Sequence, residues 1–180
     1  VHFTCCDFIT DCVQNSVEAG AGNIRLEVEE TRKSFSVRLT DDGRGMTAKE
    51  LEMTRDPFFT SGEKHRRRVG LGIPFLVQAT ELSGGSFHLD SEPGRGTCLS
   101  FAFDLRNVDS PPVGDVPSAF LQALCFEGDY EMEILRTLRT EAKTVEYRLR
   151  RGELEEVLGD LNDGASLKLL RDYLQSQEED

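Results

Sequence analysis

Apolar and polar positions follow two different rhythms along this chain. From Cys5 to Ala19 the apolar residues Phe8, Ile9, Cys12, Val13 and Val17 recur at three- and four-residue steps. That spacing gathers them on one face of a helix, and Gly20 is placed to stop it. The rhythm then changes to two. Ile24–Glu30 sets Ile24, Leu26 and Val28 against charged neighbours, and Ser34–Thr40 does the same with Phe35, Val37 and Leu39. The pair reads as a hairpin turned at Thr31–Lys33. A short helix capped by a Thr is expected over Thr47–Glu52, and Arg55–Arg68, basic and without period, is expected to be a loop. Gly72–Ser83 returns to helical spacing, with Pro74 tolerated in its first turn. Phe87–Ser91 and Cys98–Leu105 read as two more strands, the second lined on one face by Leu99, Phe101, Phe103 and Leu105.

Asn107–Pro117 carries three prolines and a glycine, a linker composition. Past it the pattern reads as helical. Leu135, Leu138, Ala142, Val145 and Leu149 stand 3, 4, 3 and 4 apart, a short heptad seam broken by Gly152. Leu154–Leu161 and Ser166–Leu174 read as two further amphipathic helices. The expected organisation is therefore an α+β domain over 1–106, a linker over 107–117 and a helical C-terminal appendage over 118–180. A seam this short is marginal alone. It must pack on the following helices or the preceding domain, or on a second copy in a two-fold homodimer.

Composition narrows the function. The 180 residues suffice for one domain and an appendage, and 38% hydrophobic content supports a core. No apolar run approaches the roughly 18 residues of a membrane span, and the start, at Val1, has no leader pattern. Net charge is −12. Ahead of Ser110 there are 13 Lys and Arg against 17 Asp and Glu, and after it 8 against 16. Neither part is built to neutralise phosphate backbones or an anionic bilayer, so neither nucleic acid nor membrane is expected as a partner. The five cysteines are odd in number, with no second pair at zinc-ligand spacing. They read as free thiols, and the expected location is the cytoplasm.

Four short motifs carry the candidate chemistry: Asp11–Ala21, Asp41–Met46, Val69–Pro74 and Ser91–Thr97. Asp11 and Asn15 lie one helical turn apart at the rim of the apolar face. The Asn oxygen suits a hard cation such as Mg²⁺, and the carboxylate can take a proton from an attacking water. The same two residues also read as ordinary polar rim positions. Asp41 ends a strand and precedes Asp42-Gly-Arg-Gly45. Its carboxylate can accept from an exocyclic amine such as that of adenine, or the segment can be a plain Asp-Gly turn. Gly70-Leu71-Gly72 opens a helix whose free N–H groups suit an anion. The Lys64–Arg68 run before it can close over a triphosphate or stay solvated. Gly94–Thr97 reads as a hairpin turn whose Thr97 hydroxyl can reach a base or a water. His2, His65 and His88 have no supporting constellation.

With these pieces in this order, residues 5–106 resemble the GHKL superfamily: gyrase, the heat-shock chaperone, histidine kinases and the mismatch-repair protein MutL. Asp56–Gly62, Val69–Pro74 and Glu81–Thr97 look most like the ATP-binding domain of histidine kinases, and Asn15–Ala21 more like MutL. The resemblance implies a Bergerat-type two-layer sandwich, a mixed β-sheet with helices on one face, holding ATP beneath a lid at about Arg55–Val69. It implies Asn15 as the Mg²⁺ ligand, Asp41 as the adenine reader, and Gly43, Gly45, Met46 and Thr97 around the base. Gly70, Leu71 and Gly72 border the phosphates, with Lys64 and Arg68 reaching them, and Asp11 stands where many relatives carry a Glu base.

Two departures matter. Asp11 is one methylene shorter than Glu, and no histidine lies in a pattern like a phosphoacceptor helix. No second α/β domain of the kind that follows the ATPase in MutL or gyrase is read in the chain. The expectation is an ATP-binding regulatory module that binds Mg-ATP and ADP, serves a protein partner, and hydrolyses ATP slowly. The alternatives are a protein kinase acting in trans on a partner's His or Ser, and a nucleotide-gated interaction module without turnover.

Overall fold

The computed structural model describes residues 3–55 and 72–179. Its frame is one six-stranded sheet in the order β3-β4-β2-β1-β5-β6. The strands are β1 (Asn23–Thr31), β2 (Ser34–Asp41), β3 (Ser86–Glu92), β4 (Gly96–Asp104), β5 (Glu131–Arg139) and β6 (Thr144–Arg150). β1 and β5 pair in parallel, and every other neighbour is antiparallel. The helices are α1 (Cys5–Glu18), α2 (Ala48–Met53), α3 (Gly72–Leu82), α4 (Val116–Leu124), α5 (Arg151–Leu158) and α6 (Gly164–Glu179).

Alternation along the strands builds the core. Ile24, Leu26 and Val28 in β1, Phe35, Val37 and Leu39 in β2, and Leu99, Phe101 and Phe103 in β4 are all buried. Charged residues such as Arg25 and Arg38 occupy the alternate, exposed positions. The buried face meets Phe8, Ile9 and Val13 of α1, Ile73 and Leu76 of α3, Phe120 and Leu124 of α4, and Leu170 and Leu174 of α6 in a single cluster. Burying each such large side chain contributes about 1.5–3 kcal/mol. This is the two-layer α+β arrangement that the sequence implied, with helices again at 116–124, 151–158 and 164–179.

The helix read through Leu135–Leu149 is corrected: those residues form β5, a turn and β6. In strands Leu135 and Leu138 point to opposite faces, and Ala142 lies exposed between β5 and β6, so the seam is not one stripe. Val145 and Leu149 share the buried side with Leu138 and Ile134, their register partners. The basis for a dimer through that seam goes with it. A strand rhythm of Met132, Ile134 and Leu138 is present, but it is interrupted by Arg136 at a core position. That guanidinium is buried and bonded by Glu30 at 2.6 Å and by Glu178 at 2.8 and 2.9 Å. The Tyr147 hydroxyl donates to the same Glu178 at 2.7 Å. Burial by itself would lower the Arg136 pKa, but the bonds to Glu178 and Glu30 outweigh it and hold the pKa above its ordinary value.

The proline-rich segment also has a structural task. The carbonyls of Pro112 and Val113 accept from the backbone N–H groups of Cys5 and Cys6 at 2.8 and 3.0 Å. They satisfy donors that the first turn of any helix leaves unpaired. Thr4 and Asp7 complete a capping box at the same end. The 107–117 segment is thus anchored on α1, the helix that carries Asp11 and Asn15.

Candidate functional site

A cleft of about 200 Å³ opens between α1, the start of α3 and the ends of β2, β3 and β4. Its walls include Cys12, Leu39, Ile73, Leu89 and Leu99. Its polar groups come from Asn15, Ser16, Glu18, Asp41, Arg44 and Thr97. Gly45 and Met46 line it as well. Five of the residues expected at a base and metal site, Asn15, Asp41, Gly45, Met46 and Thr97, therefore meet in one place. Lys64, Arg68, Gly70, Leu71 and the expected lid lie outside the described residues, save Arg55 at its edge.

Asp41 is the buried polar centre of the cleft, 9% exposed at the end of β2. Its Oδ2 accepts from the Ser16 hydroxyl at 2.5 Å, and its Oδ1 accepts from the Gly43 N–H at 2.9 Å. A carboxylate offers about four acceptor sites, so these two bonds fix its orientation and leave capacity facing the cleft. Gly43 thus orients the carboxylate.

The loop after β2 and the β3–β4 hairpin are pressed together by glycine. A Cβ on Gly45, at φ +69°, would lie 1.9 Å from the Glu92 carbonyl oxygen. One on Gly96, at φ +96°, would lie 2.0 Å from the Asp41 carbonyl oxygen. No other residue permits both the backbone angle and the approach. Ser91 ties the two together, accepting from the Met46 N–H at 2.8 Å and sharing a bond with the Thr97 hydroxyl at 2.9 Å.

Sequence reasoning missed Ser16 and Ser91. Ser16 had a signal, since it follows Asn15 in the same motif, and its burial, at 3% exposed, came only with the fold. Ser91 had one only through the hairpin register that sets it opposite Thr97.

The other end is built differently. Asn15 is half-buried in the cleft wall, and no hydrogen bond occupies its side-chain amide among the described residues. Asp11 lies one turn earlier on α1, against Gly72 at the start of α3. Burial, and then the nearby Asp7, push its carboxyl above the usual Asp value. Burial takes the neighbouring Cys12 thiol up to about 12. Among the described residues no helix is long and apolar enough to cross a membrane, and no cluster of three His, Cys, Asp or Glu could hold a metal.

A mixed sheet backed on one face by helices, with a cleft between helix and glycine turns, is the architecture of a two-layer nucleotide-binding domain. Residues 6–107 match the family described as histidine kinase-, DNA gyrase B-, and HSP90-like ATPase. That is more than half of the chain, and the chain belongs to this family. It carries an ATP-binding module of kinase type.

Sporulation kinase A of Bacillus subtilis (strain 168) is 31% identical over 93 residues, covering 51% of this chain and 15% of that protein. The sensor histidine kinase RcsC of Escherichia coli (strain K12) is 29% identical over 107 residues, covering 57% of this chain and 11% of that protein. The chain thus corresponds to a small part of these relatives. A crystal structure of the N-terminal domain of a DNA repair protein superposes with a TM-score of 0.52 at 13% identity. It covers 89% of this chain and 57% of the other. At that identity the likeness is one of fold alone, and it necessarily extends past residue 107.

Proposed function

We propose that the cleft binds Mg-ATP and that the module hydrolyses it slowly, as a cytoplasmic regulatory part acting on a protein partner. The observation that carries this reading is Asp41: a buried carboxylate oriented by Ser16 and Gly43, with free acceptor capacity toward the cleft it shares with Thr97 and Asn15. In this reading Asp41 accepts from the adenine amine. Guanine would set an acceptor against it and be rejected. Thr97, tied to Ser91, offers its hydroxyl to the base edge.

A Mg²⁺ ion fits the donor set. It takes one or two protein oxygens and completes its shell with water and substrate phosphates, and the Asn15 amide is a suitable oxygen ligand free of other bonds among the described residues. When bound it would neutralise charge on the phosphates. Asp11 is the base: half-buried near the start of α3, with a raised proton affinity, it takes a proton from the attacking water. The names of the kinase relatives favour one second reading, transfer in trans to a partner's His or Ser.

Calorimetry of ATP, ADP and GTP with and without Mg²⁺, followed by phosphate release, tests the reading. Mg-dependent ATP binding with slow release is the expected result. Equal binding of GTP and ATP would refute the base assignment. Tight binding without release points to a nucleotide-gated module, and label moving from γ-labelled ATP to a partner protein points to the kinase.

A further inference from the structure

Gly72 opens α3, and the Asp11 side chain lies against the space its missing side chain leaves. A Cβ built there lies 3.0 Å from Asp11 Oδ2, 3.2 Å from Asp11 Cβ and 3.4 Å from Asp11 Cγ. These are its three nearest neighbours, and all belong to the Asp11 side chain. The contrast with Gly45 and Gly96 is instructive, because at those positions the added carbon would strike backbone. No hydrogen bond holds the Asp11 carboxylate among the described residues. Where Asp41 is oriented by two donors, Asp11 is held by packing.

We propose that Gly72 is the positioning residue for Asp11: the missing side chain at the start of α3 makes the seat that fixes where the Asp11 carboxylate lies. The proposal rests on the reading of Asp11 as the base. A methyl group at 72 crowds Oδ2, Cγ and Cβ together, and no bonded partner among the described residues resists the displacement. The side chain must give by a few tenths of an ångström. A misplacement of about 1 Å at a reacting group costs on the order of 100-fold in rate, so the smaller shift is expected to cost about tenfold.

The consequence can be separated from a loss of folding. Alanine is a better helix former than glycine, so Gly72→Ala has no propensity reason to weaken α3. The full chain carrying Gly72→Ala is expected to stay folded, with a cooperative melt near that of wild type, while kcat for phosphate release, read at saturating ATP, falls about tenfold. Combined with Asp11→Asn, the alanine is expected to add nothing, because the group it displaces is already disabled. A Gly72→Ala variant with full turnover, or a double variant whose losses multiply, would overturn the proposal.

A second measurement does not depend on activity. The side-chain carboxyl ¹³C resonance of Asp11, identified by its loss in Asp11→Asn, is expected to move in Gly72→Ala while other Asp resonances stay. An unmoved resonance sinks the proposal. If wild type releases no phosphate, the base reading fails by itself, and the resonance still decides whether Gly72 seats Asp11.

Discussion

The two ends of the cleft hold their carboxylates in opposite ways. Asp41 is buried, bonded through both oxygens, and set between backbone segments that only glycine allows to touch. Asp11 is half-buried and unbonded among the described residues, with its place set by the empty side of Gly72. The first is preorganised, as the proposed reading of a fixed base edge requires. The second is adjustable, as suits the proton acceptor proposed for it. One cleft can thus combine rigid recognition with adjustable chemistry, because hydrogen bonds fix a direction and packing fixes only a volume.

The largest effect expected at either end is on turnover. Asp11→Asn keeps the shape and removes the proton acceptor, so phosphate release is expected to fall by about 10²–10⁴-fold with ATP affinity nearly intact. A steady-state assay beside a binding isotherm checks this, and unchanged turnover would remove Asp11 from its role. Next comes Asp41→Asn, which replaces half of the acceptor capacity with a donor facing a donor. ATP affinity is expected to weaken by about 2–4 kcal/mol, read by calorimetry. If Asp41→Asn and Asp11→Asn lowered affinity alike, the division between the two ends would collapse.

Asn15→Ala sharpens the boundary between them. It is expected to abolish the Mg²⁺ dependence of ATP affinity while leaving discrimination against GTP in place. A smaller effect is expected at Cys12, a cysteine that lines the cleft. Its high pKa makes alkylation slow, and ATP at ten times its Kd is expected to slow it about tenfold further, with the rate at Cys98 unchanged. Mass-spectrometric labelling rates decide it, and equal protection of both thiols would point to a global effect.

The smallest effect is on stability. The folded-state pKa of Asp11 is raised, so between its unfolded and folded values the native state binds more protons than the unfolded state. Stability is therefore greatest, as far as this group is concerned, below the ordinary Asp pKa, and declines as pH rises through the folded value. At pH 7 the charge is a burden, and Asp11→Asn is expected to melt slightly higher than wild type, with the gap closing in acid. Turnover that needs the ionised base runs the other way and rises through the same pH window. A lower melting point for Asp11→Asn at pH 7 would contradict the burial argument.

Much of this was legible in the chain itself. The period-three-and-four run of α1 and the strict alternation in β1, β2 and β4 are local patterns, and each marks its buried face. The motifs point to Asn15, Asp41, Gly45, Met46 and Thr97, and the fold brings those same five residues together around one cleft. The reason is that a helix or strand face is set by neighbours within a few residues, so side-chain period suffices to read it.

The rest needed partners distant in sequence. β5 hid because Arg136 broke its alternation, and the carboxylates that let an arginine stay buried lie 106 residues upstream, at Glu30, and 42 downstream, at Glu178. The cap on α1 comes from Pro112 and Val113, in a segment that reads as a linker. Ser16 and Ser91 became meaningful only when Asp41 and Thr97 arrived within bonding distance. The sequence alone determined which residue types stand on which local face. Only the tertiary structure decided which buried charge is paired, which helix end is capped and which glycine seats a carboxylate. Those outcomes depend on hydrogen bonds and steric contacts between groups far apart along the chain, and no local pattern encodes them.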